Sequence, residues 1–263
     1  MKLIVVTATT DVARSAACID SWKVHAADRN LVVFVQHNGG DLPYLGTVPA
    51  FRAAIDAVLS DPRYQEAEVV ANFHDDLEIQ EPNWDQRVLR LFQHYPAVGL
   101  AGFGGAIGLG ADALYTEPYD PMQLARIGFR SNLIDAETHG IRSLLAERVA
   151  CLDGFSQIGR RAFWEGRHPS LPAQDERPWT LLERQGFRHH AYDGALGALA
   201  RRYGWETWYL PVRCRHFGGQ TAVGDRGYQA WAETVVAGGD QGFWREAHRL
   251  LYDEFRDVLP LRV

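Results

Sequence analysis

Leu3 to Val6 is an unbroken apolar run of mostly β-branched residues, the pattern of a strand buried on both faces. Thr7-Ala8-Thr9-Thr10 then turns polar, and Asp11 is placed to cap a helix running to about Val24. A second buried run, Leu31 to Val35, ends in Gln36-His37-Asn38-Gly39-Gly40-Asp41, and Asn-Gly-Gly is turn chemistry that tolerates positive φ. Val48 to Leu59 has helical spacing, with Phe51, Ala54, Ile55 and Val58 on one face. Val69 to Phe73 opens a third apolar run. The start of the chain thus alternates strand, helix, strand, helix, strand, which implies a parallel sheet with right-handed crossovers.

Beyond it, Trp84 to His94 reads as a helix and Val98 to Ala101 as a short strand. The glycine-rich run from Gly102 to Gly110 does not fit the dinucleotide fingerprint and reads as a flexible loop near a site. From Ala111 to about Arg148 the pattern is irregular, with Tyr115, Pro118, Tyr119 and Pro121, as in a binding loop. Order returns at Val149 to Trp164, followed by a Pro-rich loop, then a helix beginning near Asp193 with Gly204 as its C-terminal stop. Trp205 to Val212 reads as a strand. Tyr228 to Val258 reads as two helices broken at Gly238-Gly239, the second burying Phe243, Ala247, Leu250, Leu251 and Phe255.

The 263 residues suffice for one large α/β domain or two small ones, and 46% hydrophobic with 23% charged residues is an ordinary globular composition. A net charge of -6 gives no global basic field for nucleic acid. Cys18, Cys151 and Cys214 share no CxxC spacing, so thiols in a reducing compartment are expected rather than a zinc site or disulfides. No apolar run is long enough to span a membrane, and a cytoplasmic location is expected. Homo-oligomerisation stays open.

The chemistry concentrates at Phe73-His74-Asp75-Asp76-Leu77-Glu78-Ile79. Two carboxylates at the C-terminal end of a buried strand must be paired, hydrogen-bonded or metal-bound, and ligands of open α/β sheets bind at that edge. The plain alternative is a strand end running into a solvated turn. Asp153 can equally be only an Asp-Gly turn residue, and His216 a structural histidine. Arg160 and Arg161 offer contacts to an anion, though surface arginines are commoner. Tyr192, Trp164 and Trp179 fit core or rim positions better than ligand-stacking ones.

The order of these motifs resembles family 2 glycosyltransferases of the GT-A fold. Phe73 to Ile79 is similar to that family's acidic DxD-type strand end. Cys151-Leu152-Asp153-Gly154-Phe155, with Arg160-Arg161, is similar to its Asp-Gly segment. Tyr192-Asp193 at a helix start and His216 after a strand are similar to its catalytic acid and downstream histidine. The resemblance implies a single Rossmann-like mixed sheet flanked by helices over residues 1–220, with a nucleotide-binding half (1–100) and an acceptor half (101–220). Residues 221–263 would be a C-terminal helical extension.

It further implies a metal-dependent, inverting transferase that moves a sugar from a nucleoside-diphosphate sugar to a hydroxyl acceptor. Asp193 would be the general base. Asp76 and His216 would hold Mn²⁺ or Mg²⁺. Thr7, Ala8, Thr9, Asn38, His74, Asp75 and Asp76 would line the donor site, and Asp153, Gly154 and Tyr192 the acceptor site. The chemistry is consistent, because hard cations take carboxylate oxygens and a departing diphosphate develops negative charge. His74 stands where the family often has an acid, and Gln36-His37-Asn38 where it has an acidic base-recognition turn, so donor base and sugar stay open. Two other classes compete. One is a catalytically silent nucleotide-sugar-binding scaffold. The other is a nucleotidyltransferase, which would carry a glycine-rich basic loop where Thr7-Ala8-Thr9-Thr10 stands.

Overall fold

The computed structural model describes residues 1–39, 43–110, 126–134, 140–218 and 226–263. β1 (Lys2–Thr9), β2 (Val32–His37) and β3 (Ala67–His74) are parallel neighbours in the order β2-β1-β3. α1 (Val12–His25) and α2 (Thr47–Ser60) make the two crossovers. Asp11 caps α1 by accepting from the amides of Ala13 and Arg14, which have no partner within the helix. Because successive side chains alternate across a strand, Ile4 and Val6 join one core and Leu3 and Val5 the other. β1 is thus buried on both faces, as its apolar run requires.

The further strands are β4 (Leu77–Ile79), β5 (Val98–Gly102), β6 (Gly104–Leu109), β7 (Arg126–Ser131), β8 (Ile141–Arg142), β9 (Glu147–Arg148) and β10 (Cys151–Leu152). β11 (Ser156–Arg160), β12 (Glu206–Tyr209), β13 (Cys214–His216) and β14 (Leu261–Arg262) follow. The main sheet has seven strands in the order β2-β1-β3-β11-β5-β12-β9. It is mixed, because β11 runs antiparallel between β3 and β5 while β12 returns parallel to β5. A second, five-stranded sheet is built on β6, and β4 and β13 form a separate two-stranded ribbon.

α1 and α3 (Trp84–His94) cover one face of the main sheet with Trp22, Trp84, Val88 and Phe92. α2, α4 (Arg161–Trp164), α5 (Pro178–Gln185) and α6 (Tyr192–Arg202) cover the other with Phe51, Trp164, Trp179 and Leu199. The last helices are α7 (Arg226–Val235) and α8 (Gly239–Phe255). Ala247, Leu251 and Phe255 of α8 belong to this second core, so the C-terminal helix is part of the body of the fold.

Several sequence expectations change. One sheet was expected, and the described residues form two sheets and a ribbon. Within the Gly102–Gly110 run lies β6, paired with β7, β10 and β14, not a flexible loop. Glycine is needed there for close packing: a Cβ on Gly104 would lie 2.8 Å from the Phe155 ring. The Pro-rich loop contains α5, which Pro178 opens at a first-turn position where its missing N–H costs nothing. The extension ends in β14, paired with β6, and is not purely helical. Of the irregular stretch, β7, β8 and β9 are ordered strands, while Tyr115, Pro118, Tyr119 and Pro121 lie outside the described residues.

Candidate functional site

β3 ends at His74, and Asp75-Asp76 form the turn into β4. That turn is held from several sides. The Trp22 indole N–H donates to Leu77 O at 2.6 Å, the His74 amide donates to Phe155 O at 3.0 Å, and the Phe217 amide donates to Asp76 O at 3.1 Å. Pairing of β13 with β4 sets His216 opposite Leu77 and so beside Asp76.

The two acids have different fates. Asp75 Oδ2 accepts from Thr9 Oγ1 at 2.7 Å and from Arg14 Nη2 at 2.8 Å. It fastens the end of β3 to the end of β1 and the start of α1. Asp76 turns the other way. Its Oδ1 lies 3.2 Å from His216 Nε2 and 3.9 Å from His74 Nδ1. Asp76 Oδ1 and His216 Nε2, both buried, face each other as an ion pair whose hydrogen-bond alignment is poor, and neither has a further hydrogen-bond partner. Buried polar atoms left that way are costly unless something else satisfies them.

A divalent cation would do so. One ligand atom from each of His74, Asp76 and His216 lies within 4.8 Å of the other two. His74 is oriented for the purpose. Tyr192 Oη donates to Gly154 O at 3.3 Å and lies 2.6 Å from His74 Nε2. With the hydroxyl proton directed to Gly154, the tyrosine oxygen accepts from Nε2–H, which leaves the Nδ1 lone pair facing Asp76. Gly154 is required by this arrangement, since a Cβ there would fall 2.4 Å from the Tyr192 hydroxyl.

The titration directions follow from the same contacts. Burial pushes the Asp76 carboxyl up, but His216, with His74 and Arg14 beyond it, outweighs burial and holds it at about 2 against an ordinary 3.8. Burial opposes a charge on His216, and Asp76 overcomes this to raise it above 6.5. His74 is lowered, first by burial and then by His216. Asp76 therefore contributes stability above pH 3.8 that is lost as pH falls toward 2. His216 contributes stability below pH 6.5 that is lost as pH rises through its raised value. The melting temperature of the metal-free chain is expected to be highest between these limits, and Asp76→Asn to flatten the profile. Thermal scans across pH test this, and an unaltered profile in the variant would refute the pairing.

These residues open onto one cavity of about 250 Å³. Ala8, Asn38, His74, Asp75, Asp76, Asp153, Gly154, Tyr192, Asp193 and His216 all line it. Thr7 and Thr9 do not. Thr7 is fully buried, and Thr9 spends its hydroxyl on Asp75. Asn38 braces the wall, accepting from the Leu45 amide and donating to Gly46 O. Asp193 sits in the first turn of α6 and accepts from the Gly194 amide at 2.8 Å. Arg160 and Arg161 are elsewhere: their guanidinium groups donate to carbonyls of Phe92, Val98, Leu59 and Tyr64 and hold the sheet to its helices.

No family model matches the chain, and no curated protein is significantly similar to it. Among solved structures, A197 from STIV superposes with a TM-score of 0.46 and 11% identity, covering 82% of this chain and 86% of that one. CMP:2-keto-3-deoxy-manno-octonic acid synthetase complexed with CTP superposes with a TM-score of 0.38 and 12% identity, covering 81% of this chain and 90% of that one. These likenesses are too loose to carry either protein's activity to this chain.

The cavity also has walls that the sequence did not point to: Thr10, Tyr44, Thr47, Phe51, His189 and His190. Phe51 stacks near the His74 ring at 6.1 Å. Thr47 Oγ1 lies 2.6 Å from His189 Nδ1. The adjacent pair His189-His190, just before a helix, was the one signal available for them.

Proposed function

We propose that the chain is a GT-A-type, metal-dependent, inverting glycosyltransferase that moves a sugar from a nucleoside-diphosphate sugar to a hydroxyl acceptor. What carries the reading is one cavity with a cation-type donor set on one wall and a carboxylate at a helix N-terminus on another. His74, Asp76 and His216 would hold the cation. When bound, it supplies the positive charge that neutralises a departing diphosphate. Asp75 is tied to Arg14 and Thr9, so the donor set brings one negative charge to a divalent ion. The excess positive charge suits an anionic ligand.

Asp193 accepts the proton of the attacking hydroxyl, in the role of general base. Asp153, Gly154 and Tyr192 border the acceptor side, and Ala8, Asn38 and His74 the donor side. The donor half is 1–100 and the acceptor half 101–220, with His216 reaching back to the donor side. Two imidazoles beside one carboxylate favour Mn²⁺ over Mg²⁺, which prefers oxygen ligands and keeps its waters. The cavity is smaller than the roughly 300–1,000 Å³ typical of sites that enclose a whole drug-sized ligand. It suits the diphosphate and the transferred sugar rather than the entire donor.

Calorimetric titration of UDP and GDP, each with Mn²⁺, Mg²⁺ or no metal, tests the reading. Binding that needs a metal and is tighter with Mn²⁺ is the expected result. Failure of both nucleotides, and then of TDP and CMP, would refute it. Metal-dependent binding without transfer to any hydroxyl acceptor would favour the silent scaffold.

A further inference from the structure

His189, His190 and Asp240 lie together outside the donor set just described. His189 and His190 precede α6 and face the cavity, while Asp240 comes from the first turn of α8. One ligand atom from each falls within 4.8 Å of the other two. Asp240 Oδ1 is 2.7 Å from His190 Nε2 and also accepts a short hydrogen bond from the Tyr228 hydroxyl. The two imidazole rings meet nearly at right angles, 83°, with centroids 4.6 Å apart.

Two of the three donors have a hydroxyl partner that fixes them. Thr47 holds one nitrogen of His189, and Tyr228, fully buried, holds the carboxylate of Asp240. A ring nitrogen engaged in this way sets the tautomer and leaves the opposite nitrogen to coordinate, the outer-shell arrangement common to metal-bound histidine. Two imidazoles and one carboxylate form a borderline donor set suited to Zn²⁺ or Co²⁺, and three protein donors leave a fourth tetrahedral position open.

We propose that His189, His190 and Asp240 form a second divalent-cation site, of the Zn²⁺ or Co²⁺ class, on the cavity wall. It shares no ligand with His74, Asp76 and His216, and it does not depend on the proposed transferase activity. Its binding ties the C-terminal helices to the segment before α6. Metal binding would release to solvent any proton held on the coordinating nitrogen of His190.

The test uses the full chain stripped with a chelator, then titrated with Co²⁺ and with Zn²⁺, with bound metal counted by elemental analysis after gel filtration. The expected result is two ions per chain. Asp240→Asn and His190→Gln should each reduce the count to one, while Asp76→Ala removes the other ion and leaves this one. Tyr228→Phe keeps the ring and deletes only the hydroxyl on Asp240. It should weaken this site by roughly 10- to 100-fold, as loss of an outer-shell partner does. Thermal melts of each variant establish that it is folded, and Tyr228→Phe serves if Asp240→Asn is not. A single ion lost in Asp76→Ala but kept in Asp240→Asn and His190→Gln would overturn this site and leave the first standing. Two ions unaffected by Asp240→Asn or His190→Gln would also overturn it, and no bound ion would overturn both sites.

Discussion

Asp76→Ala is expected to abolish tight Mn²⁺ binding at the His74 site, and with it any nucleotide binding that needs the metal. Asp76 supplies the one carboxylate of that cluster. Asp75 cannot readily stand in for it, because Thr9 and Arg14 already hold its Oδ2. Two neutral imidazoles would remain, and the loss should exceed the roughly 10- to 100-fold caused by deleting an outer-shell partner. Calorimetry with Mn²⁺ alone reads this directly. Asp76→Asn is the companion variant, since it preserves shape while removing charge. Mn²⁺ affinity unchanged in both variants would show that the cluster is not a cation site.

Asp193→Asn is the second large effect. Transfer should fall by roughly 10²- to 10⁴-fold, the usual contribution of a positioned general base. Metal-dependent nucleotide binding should stay near its original strength. The substitution is conservative where it matters for folding: an asparagine Oδ1 can still accept from the Gly194 amide that Asp193 engages at the start of α6. Loss of turnover with binding intact separates chemistry from donor recognition. Near-full transfer in the variant would remove Asp193 from the base role.

Much of the fold was legible because local signals agreed with tertiary ones. Asp11 marked the start of α1, Trp84 and His94 bounded α3, and Gly238-Gly239 separated the last two helices, with Gly239 opening α8. Signals failed where a residue's task depends on a distant partner. The Gly102–Gly110 run looked mobile because glycine serves both loose loops and tight backbone contacts, and only the Phe155 ring over Gly104 distinguishes them. Arg160 and Arg161 looked like phosphate contacts, since nothing local says that carbonyls from α2, α3 and β5 will occupy them. The site divided along the same line. Asp76, His216 and Asp193 were each read as candidate chemistry, and Tyr192 as a core or rim aromatic. The β4–β13 pairing that sets His216 beside Asp76, and the contact that turns His74 toward it, were not.

That ribbon has a consequence for how the molecule is made. β4 is translated before β13, with β5 to β12 and α3 to α6 between them. The β4–β13 contact is therefore long-range, and its loop-closure entropy must be met before the pairing rewards it. A nascent chain can assemble the parallel β2-β1-β3 start and its two crossover helices without yet possessing a complete His74–Asp76–His216 cluster. If the cluster holds a cation, its full donor set exists only once β13 has been made and has paired with β4.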